Sequence, residues 1–191
     1  MNNSRVVPDT YKNWAKHLRS LVAGDCAVTA YYDEPEQHEI DIFTSVNSKG
    51  ILASTIGLMD YDQSRNTKVE IHSEIIMDRR GKDERIANIL STIAFYVIKD
   101  GWKIAPGVIF EGIVKMYIPE SKLPHVMFVA PFQWSDMSKV VLSDKTIFPL
   151  VAVPVSEQES RMAASNSGLD LEALWQERSI DVLDWERSSA V

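Results

Sequence analysis

Residues 27–58 read AVTAYY-DEPEQH-EIDIFTSV-NSKG-ILASTIGL, three runs of β-formers parted by two short polar turns. Val28, Thr29, Tyr31 and Tyr32 favour extended backbone, and Ile40, Ile42 and Thr44 recur at the period of two that marks a half-buried strand. Residues 33–35 and 47–50 carry turn chemistry. A third turn at 60–66 leads to a fourth strand-like run at 68–77. Four successive strands on short links predict an antiparallel meander.

Helices flank this meander. Tyr11, Trp14, Leu18, Leu21 and Val22 fall on one face of a helix over 9–22, with Gly24 as its stop. Ile86, Ile89, Leu90, Ile93 and Val97 form an i, i+3, i+4, i+7, i+11 stripe, so the second helix packs on the sheet. Asp83 and Glu84 are expected in its first turn, Lys99 in its last and Gly101 just beyond, each charge opposing the dipole there. Further strands are expected over 108–117, 125–130, 139–142 and 146–153, kept short or at an edge by interspersed prolines. Ser156 and Glu159 match the S-x-x-E capping box of a helix reaching about 166. After Gly168, Leu169, Leu171, Leu174 and Trp175 mark a last short helix. Runs of strands without regular helix alternation imply an α+β fold, a mixed and largely antiparallel sheet against helices. The expectation is a single domain over 1–191, with its core at about 9–187.

Composition narrows the function. A domain of 191 residues buries roughly 70% of its unfolded surface and needs no metal or disulfide to hold it. The lone Cys26 excludes an internal disulfide and a multi-cysteine zinc site, and it suits a reducing compartment. Residues 1–17 lack the apolar core of a signal peptide, and the longest apolar run, 93–98, is far short of the ~18 residues of a membrane span. The chain is therefore expected in the cytoplasm. Its net charge of −7 and pI near 5.1 argue against direct nucleic-acid binding, but not against a basic protein partner. The excess is local. Residues 25–41 hold six acids and no Lys or Arg, and residues 151–191 hold eight acids against three arginines.

Familiar catalytic signatures are absent: no G-x-S-x-G, P-loop, H-E-x-x-H, C-x-x-C or G-x-G-x-x-G occurs. Read as a strand, 69–75 puts Glu70, His72 and Glu74 on one face. That set could hold a divalent metal or pair a base with an acid, although a solvated polar face explains it more simply. Cys26 follows Asp25, which disfavours a thiolate, so a buried structural cysteine is expected. His17 reads as a solvated helix position, and His125 as a structural residue opening an edge strand. Phe132 and Trp134, beside Pro131, could form a peptide-binding edge, but closing the core at a strand end is the expectation. The stretch Tyr31, Tyr32, Asp33, Glu34, Glu36, Glu39 and Asp41 combines aromatics with acids. It could steer and then anchor a basic partner, or be a solvated hairpin turn.

At this point the C-terminal half resembles a known family. An apolar strand ending in proline, Leu123-Pro124-His125-Val126-Met127-Phe128-Val129-Ala130-Pro131, precedes a second, Phe148-Pro149-Leu150-Val151-Ala152-Val153-Pro154-Val155-Ser156-Glu157-Gln158-Glu159. The order is similar to the suppressor of fused domain, which closes on a segment like Ile180-Asp181-Val182-Leu183-Asp184 with an arginine nearby, here Arg187. Ile40-Asp41-Ile42-Phe43 and Ser54-Thr55-Ile56-Gly57-Leu58 look like the bacterial branch. The resemblance covers about residue 14 to the end.

It implies an α+β domain with no enzymatic activity and no cofactor. Stand-alone bacterial members are associated with polymorphic toxin systems as immunity proteins, so the partner implied is a cognate toxin domain. An acidic binder suits a basic toxin such as a nuclease. A regulator that captures a peptide by strand addition is the alternative.

Overall fold

The computed structural model describes residues 6–34, 37–64, 70–166 and 168–191. Helix α1 (Asp9–Leu21) precedes strands β1 (Asp25–Tyr32), β2 (Glu39–Val46), β3 (Gly50–Ile56) and β4 (Ile75–Arg80). Helix α2 (Arg85–Asp100), β5 (Ile109–Phe110) and β6 (His125–Val129) follow. A small ribbon of β7 (Val140–Val141) and β8 (Thr146–Ile147) leads to β9 (Leu150–Val155), α3 (Glu157–Ser165) and α4 (Leu169–Glu177). The main sheet has seven strands in the order β1-β2-β3-β4-β9-β6-β5. All its neighbours are antiparallel except β4 and β9. The expected meander is β1 to β4.

Side-chain alternation sorts this sheet into two cores. Ile40, Ile42, Ala53, Ile75, Met77, Phe128 and Ala152 face α2, whose stripe Ile86, Ile89, Leu90, Ile93 and Val97 is buried throughout. Phe43, Leu52, Ile76, Met127 and Val153 point the other way, to Trp14 and Leu18 of α1 and to Ala163, Leu171 and Trp175 of α3 and α4. With helices on both faces, β3, β6 and β9 are buried at every residue and read as continuous apolar runs. Gly101 ends α2 in the left-handed region at φ 67°, where a side chain would strain the backbone. Gly24 lies where the chain turns from α1 into β1. A Cβ there would stand 2.2 Å from the Val46 carbonyl oxygen.

Several expectations need correction. Only Ile109–Phe110 of 108–117 is strand; Gly112 turns the chain at φ 71°, and residues 111–117 wind through turns. Phe148 and Pro149 split 146–153 between two sheets. Asp83 and Glu84 precede α2 rather than occupy its first turn, Asp83 Oδ1 accepting from the Arg85 amide at 3.1 Å. His17 is not solvated: it stacks on Trp14 at 5.7 Å beside the Met137 sulfur, and burial lowers its pKa. His125 is buried in an inner strand. Its Nδ1 accepts from the Gly112 amide at 2.9 Å, and its Nε2 meets Glu157 at 2.8 Å. Cys26 is half-buried, with the Arg19 guanidinium beside its sulfur. Phe132 is 54% exposed and Trp134 half-buried, so that corner closes less of the core than its apolarity suggested.

The capping box of α3 is present and reaches further than local sequence shows. Ser156 Oγ accepts from the Glu159 amide at 3.1 Å and Glu159 Oε2 from the Ser156 amide at 2.8 Å. Glu159, fully buried, also takes Arg187 Nη1 at 2.6 Å and Nη2 at 3.1 Å, the Trp175 indole at 3.2 Å and the Ala190 amide at 3.1 Å. One carboxylate thus starts a helix and fastens the C-terminal tail. Burial pushes its pKa up, but Arg187 and the two amides hold it below the ordinary glutamate value.

Candidate functional site

Strand β1 is an edge of the sheet, only partly covered by α1 and α2. Five of its eight residues are exposed once both ends are included by fractional area, among them Val28 at 51% and Tyr32 at 55%. The Asp33 amide donates to the His38 carbonyl at 3.2 Å, and bonded pairs recur at every second residue of an antiparallel ladder. Ala27, Thr29 and Tyr31 therefore spend their backbone groups on β2. Cys26, Val28, Ala30 and Tyr32 turn theirs out of the sheet. The strand contains no Pro, Lys or Arg, and its register to β2 is unbroken, so the usual devices that blunt an edge are missing. On the α1 side a groove of about 340 Å³ runs beside it, lined by Ala15, Lys16, Arg19, Cys26, Val28 and Phe43. Backbone groups open to pairing beside an apolar groove can receive an extended segment or a flat protein surface.

The acidic stretch at the end of this strand is two-sided. Tyr31 is half-buried against the α2 core, whereas Tyr32 and Glu34 are exposed. Asp33 is turned inward. It accepts from the His38 amide at 2.7 Å, meets His38 Nδ1 at 2.9 Å and pairs with Lys99 at 3.1 Å. His38, then Lys99, hold its carboxyl well below the usual range. Lys99 also reaches the Glu34 carbonyl at 3.5 Å, tying the turn to the end of α2. Glu39 is half-buried and Asp41 buried on β2. Glu36 lies outside the described residues. The turn is therefore braced from within, with Tyr32 and Glu34 as its outward members.

Glu70, His72 and Glu74 precede β4, which begins at Ile75, and grade from exposed through half-buried to fully buried instead of forming one solvated face; Val69 lies outside the described residues. Glu70 is exposed and 3.5 Å from His72 Nε2. Glu74 is fully buried, taking the Gly57 amide at 2.8 Å, the Met59 amide at 3.1 Å and the Thr55 hydroxyl. Burial, with the Asp60 charge nearby, outweighs those bonds and lifts its pKa to about 7. It is a strut for the turn after β3. Among the described residues no group of three His, Cys, Asp or Glu is placed to hold a metal. No helix among them is long and apolar enough to cross a membrane.

Composition singles out the tyrosines and acids as candidates; Val28 and Cys26 join them only through strand order, which neighbouring residues do not reveal. The missing alternation in DCAVTAYY was the available signal: a strand with no clean apolar face has little to bury.

Comparison with known proteins places this geometry among relatives. The family model for suppressor of fused protein (SUFU) matches residues 36–188. Immunity protein YqcF of Bacillus subtilis (strain 168) is 34% identical over 184 residues, covering 93% of this chain and 95% of that protein. The crystal structure of a SUFU homolog from Neisseria gonorrhoeae FA 1090 superposes with a TM-score of 0.77 at 15% identity, over 96% of this chain and 97% of that one. The Sufu–Fu complex crystal structure gives 0.66 at 16% identity, over 95% and 92%. At those identities the two structures show a shared fold.

Proposed function

This chain belongs to the suppressor of fused protein (SUFU) family, and from that premise we propose that it is an immunity protein that binds and neutralises a cognate bacterial toxin. The observation that carries the reading is the 34% identity to immunity protein YqcF across nearly the full length of both chains. Action by binding rather than catalysis agrees with a fold whose two fully buried glutamates, Glu74 and Glu159, serve as struts.

The interface we infer is the edge of β1 with the adjoining turn. Tyr32 and Glu34, together with Glu36, would be its contacting members, and Tyr31, Asp33, Glu39 and Asp41 the braced frame behind them. A net charge of −7 favours a basic toxin, steering encounter before the tyrosine seats. The test is co-expression with the C-terminal domain of a toxin gene found next to its own, reading cell survival and complex formation. Wild type should rescue growth and co-purify at 1:1. Glu34→Lys with Tyr32→Ala should slow association by about tenfold or more. Unchanged binding in that variant would remove the turn from the interface.

A second reading, a regulator that captures a peptide by strand addition, is favoured by the outward backbone of Val28 and Ala30. In that case complex formation would slow hydrogen exchange at Cys26, Val28, Ala30 and Tyr32, with little dependence on salt.

A further inference from the structure

A second concavity lies at the opposite end of β2, where α1 runs out. Ser45 of β2, Leu52 of β3 and Asp78 of β4 stand in one row across the sheet, Ser45 opposite Leu52 and Leu52 opposite Asp78. Two strand spacings put Ser45 and Asp78 about 10 Å apart on the same face. Over Leu52 is a cavity of about 300 Å³, walled by Leu21 and Val22 on one side and Trp134 and Leu183 on another.

Its polar groups are unevenly used. The Ser45 residue is 1% exposed, yet its hydroxyl has no hydrogen-bond partner among the described residues. Gln133 gives its amide nitrogen to Asp78 Oδ2 at 2.9 Å, while its carbonyl Oε1 is buried and unpartnered. Asn47, by contrast, is fully engaged in its turn, taking the Lys49 and Gly50 amides and donating to the Ala23 carbonyl. Buried polar atoms are rarely left unpaired, and two in one cavity mark a place for a partner, a water or a ligand.

The donor–acceptor inventory says which ligand. Gln133 Oε1 and the Asp78 carboxylate accept only, and the Ser45 hydroxyl can accept as well. The cavity suits a ligand with several donors in a plane, positive charge to meet Asp78, and a flat apolar face for the Trp134 side chain that lines it. A guanidinium has all three, and its aliphatic stem suits the Leu21 and Val22 wall. Lys49, Arg79 and Arg80 also line the cavity; Lys49 and Arg80 are exposed, and the two arginines are held by Asp83 and Glu186 and by Asp181. These cations weaken the pull of Asp78, the two arginines less so because each is already ion-paired.

We propose that this cavity is a guanidinium-binding site, and that its occupant in the cell is an arginine side chain of the protein partner. The second half rests on the immunity reading, the first does not. N-acetyl-L-arginine methylamide titrated into the whole chain should give saturable NMR shifts at Ser45, Asp78, the Gln133 side-chain amide and the Trp134 indole, with Kd on the order of 1 mM. The neutral citrulline analogue should bind at least about tenfold more weakly. Ser45→Ala should leave the melting temperature unchanged, since the hydroxyl has no partner to lose, while weakening the arginine probe. Asp78→Asn should abolish probe binding, and Lys49→Gln should tighten it.

The same Asp78→Asn chain, folded by its melting curve, is then tested against the toxin domain. A loss of about 30-fold or more in affinity supports the full proposal. Probe binding with unchanged toxin affinity overturns the partner arginine and leaves a site for a free guanidinium compound. No shifts at any of the four residues overturn the site, leaving a water-filled gap only. A wild-type chain that takes the probe but neither binds nor neutralises the toxin overturns the immunity reading and the partner arginine together, with the site standing.

Discussion

Replacing Arg187 by Met tests how the C-terminal tail is held. Met keeps the apolar stem and removes the guanidinium, which gives Glu159 two hydrogen bonds and also caps the Pro154 carbonyl at 3.1 Å. Glu159 is fully buried and would keep only the Ser156 and Ala190 amides and the Trp175 indole. Stranding one partner of a buried ion pair costs about 3–5 kcal/mol. For 191 residues the unfolding entropy is on the order of 0.4 kcal/mol/K, so the melting temperature should fall by about 7–12 °C. Urea unfolding at pH 7 measures the loss directly. Adding Glu159→Gln should restore part of it, because no charge is then left unpaired. The pH dependence has a defined sign. Glu159 is held below its ordinary value of 4.5, so its contribution is present above that pH and is lost as pH falls through the depressed pKa. The gap between wild type and Arg187→Met should therefore narrow in acid. A single-mutant cost under about 1 kcal/mol, or a double mutant equal to the sum of the singles, would refute the clasp.

Glu74→Gln carries the opposite sign. Its carboxyl keeps a proton up to about pH 7 in the folded chain, so its stabilising contribution is present below 4.5 and is lost as pH rises through 7. The amide should gain stability over wild type at pH 8, by about 1–3 kcal/mol, and little at pH 5; urea melts at the two pH values decide it. Asp33→Asn should loosen the turn, read as faster exchange of the His38 amide, and an unchanged exchange rate would show that the carboxylate does not hold it. Val28→Pro should be tolerated, because that amide faces away from β2, whereas Thr29→Pro breaks a ladder bond and should cost several times more in denaturant midpoint. Equal costs would mean that the register assigned to the edge is wrong.

The elements legible in the sequence were those set by local periodicity or by a turn. The α2 stripe, the capping box of α3, the meander and Gly101 as a stop all follow from residues within a few positions of one another. What escaped depends on distance in the chain. Glu74 alternates with Ile75 as a solvated residue would, and only the turn at 57–59 folding over it makes it a buried acceptor. Asp33 reads as one more surface acid until Lys99, 66 residues on, arrives beside it. The capping box announced Glu159 but not Arg187. The site is legible to the same degree: Tyr32 and Glu34 stand out by composition, whereas the exposure of Val28 follows from β1 falling at the end of the strand order.

The parallel pairing of β4 with β9 has a consequence in time. Ile75 and Ile76 wait for Leu150 and Val151, about 75 residues later, and synthesis at roughly 5–20 residues per second delivers them about 4–15 s after β4 is made. Until then the nascent meander has two open flanks, and the apolar one at β4 is the more adhesive. Chaperone demand and misassembly should therefore concentrate in chains stalled or truncated before residue 150, and slowing translation there should lower the yield of native protein more than slowing it anywhere upstream.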